Sequence, residues 1–101
     1  MKAIVQKAKN IVFRETELAL GLIVFIMNLE NLEWCIEKAL KLKIWNERKD
    51  NLISMNVKMI VVLPESRLME NIECKNSKYV IFLRNEHFAY VNDGPCTFLL
   101  D

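Results

Sequence analysis

The sequence predicts a β-rich α/β domain with one principal helix. Short apolar, partly β-branched runs recur from Met1 to Leu100, which is strand-like patterning. Only between Asn28 and Lys43 does the apolar spacing change to steps of three and four. A length of 101 residues, 52% of them hydrophobic and 27% charged, predicts one globular domain spanning 1–101 rather than a disordered chain. A core of this size is modest, so a dimer interface would add appreciably to stability.

Taken in order, Met1 to Val5 and Ile11 to Phe13 read as two strands joined by a turn at Lys9-Asn10. Leu20 to Met27 is a continuous apolar run. It reads as a strand buried on both faces, with a buried helix as the alternative that periodicity leaves open. Asn28 to Lys43 places Leu29, Leu32, Ile36, Ala39 and Leu40 on one helical face. Asn28 is suited to cap its start, Glu30 and Glu33 suit the positive end of the helix dipole, and Lys38, Lys41 and Lys43 the negative end. Ile44-Trp45 reads as a strand entering a polar loop, Leu52 to Val57 as a weak strand and Val57 to Leu63 as a strong one. Pro64 should stop that strand, because proline cannot donate to a ladder. Pro64 to Asn76 reads as a loop or a single helical turn. Tyr79 to Leu83 and Phe88 to Val91 read as an antiparallel pair around Arg84-Asn85-Glu86. Asp93-Gly94-Pro95 reads as a tight turn, and Thr97 to Leu100 as a returning strand. With two glycines and two prolines in the chain, each is expected where the backbone requires it.

The net charge of +1, from 14 basic and 13 acidic residues, excludes a strong whole-surface attraction for nucleic acid. A local basic patch at Lys38, Lys41, Lys43, Arg48 and Lys49 remains open, against the plainer reading of a solvated helix face. Cys35, Cys74 and Cys96 form no CxxC pair and read as reduced thiols. No charged-then-apolar leader opens the chain, and the run Leu18 to Met27 is shorter than the roughly 20 residues a membrane helix needs. A cytoplasmic location with no membrane partner is expected. No metal set, phosphate loop or dinucleotide fingerprint is present, so no cofactor and no metal are expected. His87 stands alone without a serine or cysteine partner, and a surface or structural role suits it. Cys96 lacks an identifiable base and reads as a small hydrophobe.

The most informative segment is Asn92-Asp93-Gly94-Pro95-Cys96-Thr97. Alone it is ordinary turn chemistry. Its meaning changes with what precedes it. Met1-Lys2-Ala3-Ile4-Val5-Gln6-Lys7 resembles the opening strand Met-Arg-Ala-Val-Val-Gln-Arg of the D-aminoacyl-tRNA deacylase family. Gly21-Leu22-Ile23-Val24-Phe25 resembles its Gly-Leu-Leu-Val-Leu strand, and Leu42-Lys43-Ile44-Trp45 its Leu-Arg-Ile-Phe. Asn51-Leu52 after a charged loop, and Ile60-Val61-Val62, match further partial motifs in the same order. The resemblance covers Met1 to Val62 and Phe82 to Leu100. After Val62 the family carries Ser-Gln-Phe-Thr-Leu, whereas this chain has Leu63-Pro64-Glu65-Ser66-Arg67-Leu68 and is shortened before Tyr79. Val80 and Glu86 stand where the family usually has glycine and methionine.

The resemblance implies a shortened deacylase-like domain that hydrolyses the ester of D-aminoacyl-tRNA. It implies a Gly94-Pro95 pair with a cis bond, acting as a chiral filter whose turn Asn92 and Asp93 shape. Proline is what makes a cis bond accessible, and glycine lets backbone approach a ligand unobstructed. It further places Phe82, Leu63 and Ser66 along the pocket and makes Lys41, Lys43, Arg48 and Lys49 candidates for tRNA contact. No residue is singled out as catalytic. A homodimer is implied, each Gly-Pro pair reaching into the partner's pocket. The alternative function is a catalytically degenerate paralogue that binds tRNA or a protein.

Overall fold

Eleven residues from Ala3 to Phe13 form one strand, β1, where the sequence suggests two. The computed structural model describes residues 1–45, 50–64, 78–84 and 86–101, with the backbone alone at Pro95 and Cys96. Lys9-Asn10 is not a turn. Asn10 adopts a left-handed φ of 51°, a conformation asparagine tolerates better than most residues. The strand passes through it and continues. Asn10 marks a change of face: Ala8 and Ile11 share one hydrophobic cluster, whereas Ala3 and Val5 belong to the other. The chain reverses at Arg14-Glu15, with Phe13 paired to Thr16 and Arg14 at φ 54°. It returns as β2, Thr16–Ile26. The first half of β2 is largely exposed, and its buried half starts at Gly21, where the continuous apolar run lies. Gly21 is a close-approach position. A Cβ there would stand 2.6 Å from Ile11 Cδ1 and 3.1 Å from the Lys58 carbonyl oxygen.

The period change at Asn28 marks a helical segment, shorter than its sequence signal. Asn28 Oδ1 accepts from the Glu30 N–H at 3.0 Å and opens a 3-10 turn, Leu29–Asn31. Helix α1, Leu32–Leu40, follows and buries Cys35, Ile36, Ala39 and Leu40. Leu32 packs against the same cluster but is only partly buried. Burial also pushes the Cys35 thiol above its ordinary pKa, against the opposing influence of the Lys2 charge.

Two expected strands are absent. Ile44-Trp45 has no regular structure, although Trp45 is buried. Leu52 to Val57 is not a strand but a short helix, α2, Leu52–Met55. Asn51 Oδ1 caps it by accepting from the Ser54 N–H at 2.9 Å, and Asn56 ends it at φ 54°. These two asparagines override the weak strand propensity of Ile53 and Val57.

Strand β3, Lys58–Leu63, stops before Pro64 as its sequence requires. Strands β4, Val80–Arg84, and β5, Phe88–Leu100, complete the sheet. The order is β4-β3-β2-β1-β5, with β2-β3 and β3-β4 parallel and β1-β2 and β1-β5 antiparallel. The expected pairing of Tyr79–Leu83 with Phe88–Val91 is therefore corrected: β4 and β5 occupy opposite edges. A short polar spacer between two apolar runs looks like a hairpin loop, but β4 pairs with β3 and β5 pairs with β1. Thr97 to Leu100 is not a separate returning strand either, since it belongs to β5 together with Phe88 to Val91.

Helix α1 covers one face through Ala3, Val5, Leu22, Val24, Met59 and Val61. The opposite face gathers Ala8, Ile11, Phe13, Ile23, Ile60 and Leu83. Leu83 on one edge strand belongs to this second cluster, and Phe88 and Tyr90 on the other edge strand pack against it. The described residues thus form a β-rich α/β fold with a mixed sheet and few helices. None of the helices among them is long and apolar enough to cross a membrane.

Candidate functional site at the interrupted edge ladder

The ladder between β1 and β5 shifts register at two places, by one residue between Lys9 and Val12 and more widely between Gln6 and Ala8. Gln6 pairs with Thr97, and Ala8 pairs with Asn92. Between them Lys7 alone stands against Asp93, Gly94, Pro95 and Cys96, so β5 makes an excursion of several residues beyond an ordinary one-residue bulge. The expected tight turn at Asp93-Gly94-Pro95 is thus an excursion within an edge strand, and it does not reverse the chain.

Gly94 explains how the backbone achieves this. Its φ is +80°, in the region that L side chains rarely adopt, and among the described residues beyond its chain neighbours a Cβ there would meet nothing within 4 Å. Gly94 is exposed. A bare, exposed stretch of main chain on a sheet edge is therefore presented to solvent. The described residues contain no cis peptide bond, so the cis geometry expected of Gly94–Pro95 finds no support in the structure; the side chains of Pro95 and Cys96 lie outside the described residues.

Lys7 anchors the excursion. Its Nζ lies 3.4 Å from Asp93 Oδ2 and 5.5 Å from the centre of the Trp45 ring. Trp45 is buried, and its Nε1 has no hydrogen-bond partner among the described residues. Nearby along β1, the Tyr90 hydroxyl donates to Gln6 Oε1, and burial holds the Tyr90 pKa above its usual value. Neither Lys7 nor Trp45 belongs to a motif that marks it as a site residue. The alternation Ala3, Val5, Lys7 was the available signal, since it points a lysine toward the apolar α1 face.

The other candidate residues do not converge on Gly94 within one chain. Leu63 is buried in the α1-face cluster, at the end of β3 and three strands from β5. Phe82 packs against the same cluster from β4, the opposite edge. Along the strands Phe82 lies level with Phe98, through Val61, Val24 and Val5, rather than with Gly94. Asn92 stays in the ladder opposite Ala8, while Asp93 begins the excursion. Lys41 and Lys43 are exposed beyond α1, and Lys41 borders an open recess of about 310 Å³ with Glu37, Leu40, Asn51 and Ile53. Ser66, Arg48 and Lys49 lie outside the described residues.

A second polar grouping ties the β1–β2 turn to the segment before β5. Arg14 Nε and Nη2 donate to the Glu86 carboxylate, each at 2.6 Å. Arg14 Nη2 also donates to the Phe82 carbonyl at 3.4 Å. The guanidinium holds the Glu86 carboxyl below the usual carboxylate range, and Arg14 is raised in turn. His87 is exposed beside a shallow recess of about 270 Å³ lined by Val12, Phe13, Arg14, Phe88 and Ala89.

Together the geometry defines a β-rich α/β domain whose distinctive feature is an edge strand with an exposed glycine-centred excursion. No family model matches the sequence, and no curated protein does. Among solved structures, the chain is similar to one named c-Myc DNA unwinding element binding protein. The TM-score is 0.60 over 100% of this chain and 98% of that one, at 14% sequence identity. At that identity the likeness concerns the fold.

Proposed function

We propose that the chain is a shortened, divergent D-aminoacyl-tRNA deacylase that hydrolyses the ester of mischarged tRNA. The observation that carries this reading is Gly94, a residue with a left-handed φ on an exposed excursion where, among the described residues, no side chain beyond its chain neighbours comes within 4 Å of a Cβ position. The ordered sequence resemblance supports it. An aminoacyl ester is already activated, so the demanding task is to tell a D from an L α-carbon. Main-chain atoms close to that carbon reject an L side chain sterically while admitting a D residue or glycine. Only glycine supplies both the required φ and the bare approach.

In this reading the pocket is shared between two copies. Gly94 lies on one edge strand, whereas Leu63 and Phe82 lie on β3 and β4 at the other end of the strand order, with Phe82 level with Phe98 rather than Gly94. A homodimer in which each excursion enters the partner's pocket resolves this. No side chain is assigned as base or nucleophile, and activation of water falls to the RNA's own hydroxyl and main-chain N–H groups.

A second reading, a non-catalytic paralogue that binds tRNA or a protein, is favoured by one observation. The end of β3 carries Leu63-Pro64 in place of Ser-Gln, and Leu63 is directed into the core. The two readings separate when purified protein is incubated with D- and L-aminoacyl-tRNA and ester loss is followed. Hydrolysis of the D-ester alone is the result expected. Intact esters with retained tRNA binding would replace the first reading with the second.

A further inference from the structure

We propose that Lys7 is a positioning residue that sets the conformation of the Asp93–Cys96 excursion from the opposite strand, which extends the deacylase reading of Gly94 and rests on it. Three independent features meet at this lysine. It is the one β1 residue facing the gap in the β1–β5 ladder, between the Gln6–Thr97 and Ala8–Asn92 pairs. Its ammonium is 3.4 Å from the Asp93 carboxylate, the first side chain of the excursion. The same ammonium lies 5.5 Å from the centre of the buried Trp45 ring, which fixes the lysine from the core side.

The physical need is plain. Residues in an excursion lose their ladder hydrogen bonds, so something other than the ladder must choose among their conformations. Gly94, with its wide conformational freedom, makes that need greater. An ion pair one residue before Gly94 supplies the restraint. The Lys7 side chain is mostly buried, with 16% of its surface exposed, while Asp93 retains 31%. Partial burial shields the pair from salt more than a surface pair would be. An aromatic face beneath the ammonium holds it by cation–π attraction and limits the directions in which it can swing. Lys7 touches no substrate in this account. It acts through Asp93 on the main chain at Gly94.

The test compares Lys7→Met, Lys7→Arg and Asp93→Asn with the wild-type chain by amide hydrogen exchange. The peptide carrying residues 92–94 is followed beside one from β2. Lys7→Met and Asp93→Asn should each speed exchange at 92–94 about tenfold while β2 stays protected, and Lys7→Arg should restore the wild-type rate. Asp93→Asn removes the charge from a partly exposed position, so it keeps the test valid if Lys7→Met fails to fold. With D- and L-aminoacyl-tRNA, the two charge-removing variants should lower the D/L ratio of hydrolysis, again with rescue by arginine. Exchange unchanged at 92–94, or raised equally in β2, would overturn the positioning role. If the wild type hydrolyses neither ester, the deacylase reading falls, and the exchange result still decides the role of Lys7.

Discussion

Two glycines do opposite things for the backbone, and substitution separates them. At Gly21 the conformation is ordinary but the space is taken, by Ile11 Cδ1 at 2.6 Å and the Lys58 carbonyl at 3.1 Å. Gly21→Ala must displace a side chain in a packed cluster, and the expected loss is about 1–3 kcal/mol. At Gly94 the space is open but φ is +80°. Gly94→Ala should lose about 1–2 kcal/mol through backbone strain alone. A bulky residue at 94 should cost little more than alanine, whereas at Gly21 the loss should grow with side-chain size. Denaturant titration of both series checks this, and parallel behaviour at the two sites would contradict it. That glycine is needed at both places was legible in a chain with only two of them. The different reasons were not, because close approach to Ile11 depends on the β1–β2 register and a positive φ depends on the β1–β5 break.

At the scale of elements, the sequence was most informative where local forces decide and least where partners are chosen. The run from Gly21, the capped helix after Asn28 and the stop at Pro64 all follow from periodicity and side-chain chemistry within a few residues. The placing of β4 and β5 on opposite edges does not, because two apolar runs separated by a short polar spacer carry no information on which other strand each will join. Arg14 and Glu86 supply part of what the eye takes for a hairpin, linking the β1–β2 turn to the residues before β5. This link has a pH signature. Arg14 lowers the Glu86 pKa in the folded state, so its contribution is fully present above the unfolded carboxylate pKa and is lost as pH falls through the folded value. Glu86→Gln should therefore be less stable than wild type at neutral pH, and the difference should vanish in acid. A difference that stays constant with pH would show that the ion pair contributes nothing and that shape alone matters.

For the molecule as a whole, β5 is an edge strand that pairs only with β1 among the described residues, and on it Val91 is 48% and Leu99 58% exposed. Unpaired backbone and apolar side chains on one edge suit burial against a second copy. Sedimentation at micromolar concentration is expected to give a dimer, and a monomer alone would remove the shared pocket. The candidate site was legible only in part. Asn92 to Pro95 stood out as a motif, but the break opposite Lys7 exists only once β1 and β5 are paired, and the separation of Gly94 from Leu63 only once the strand order is known. The central claim is that bare backbone at Gly94 reads the chirality of an aminoacyl ester. Its most direct test is the rate of ester loss from D- and L-aminoacyl-tRNA with the wild-type chain and with Gly94→Ala, each shown to be folded. The wild type is expected to cleave the D-ester and spare the L-ester, and the alanine variant to lose D-ester cleavage or to begin accepting the L-ester. Cleavage of the D-ester by both proteins with the same D/L ratio would contradict it.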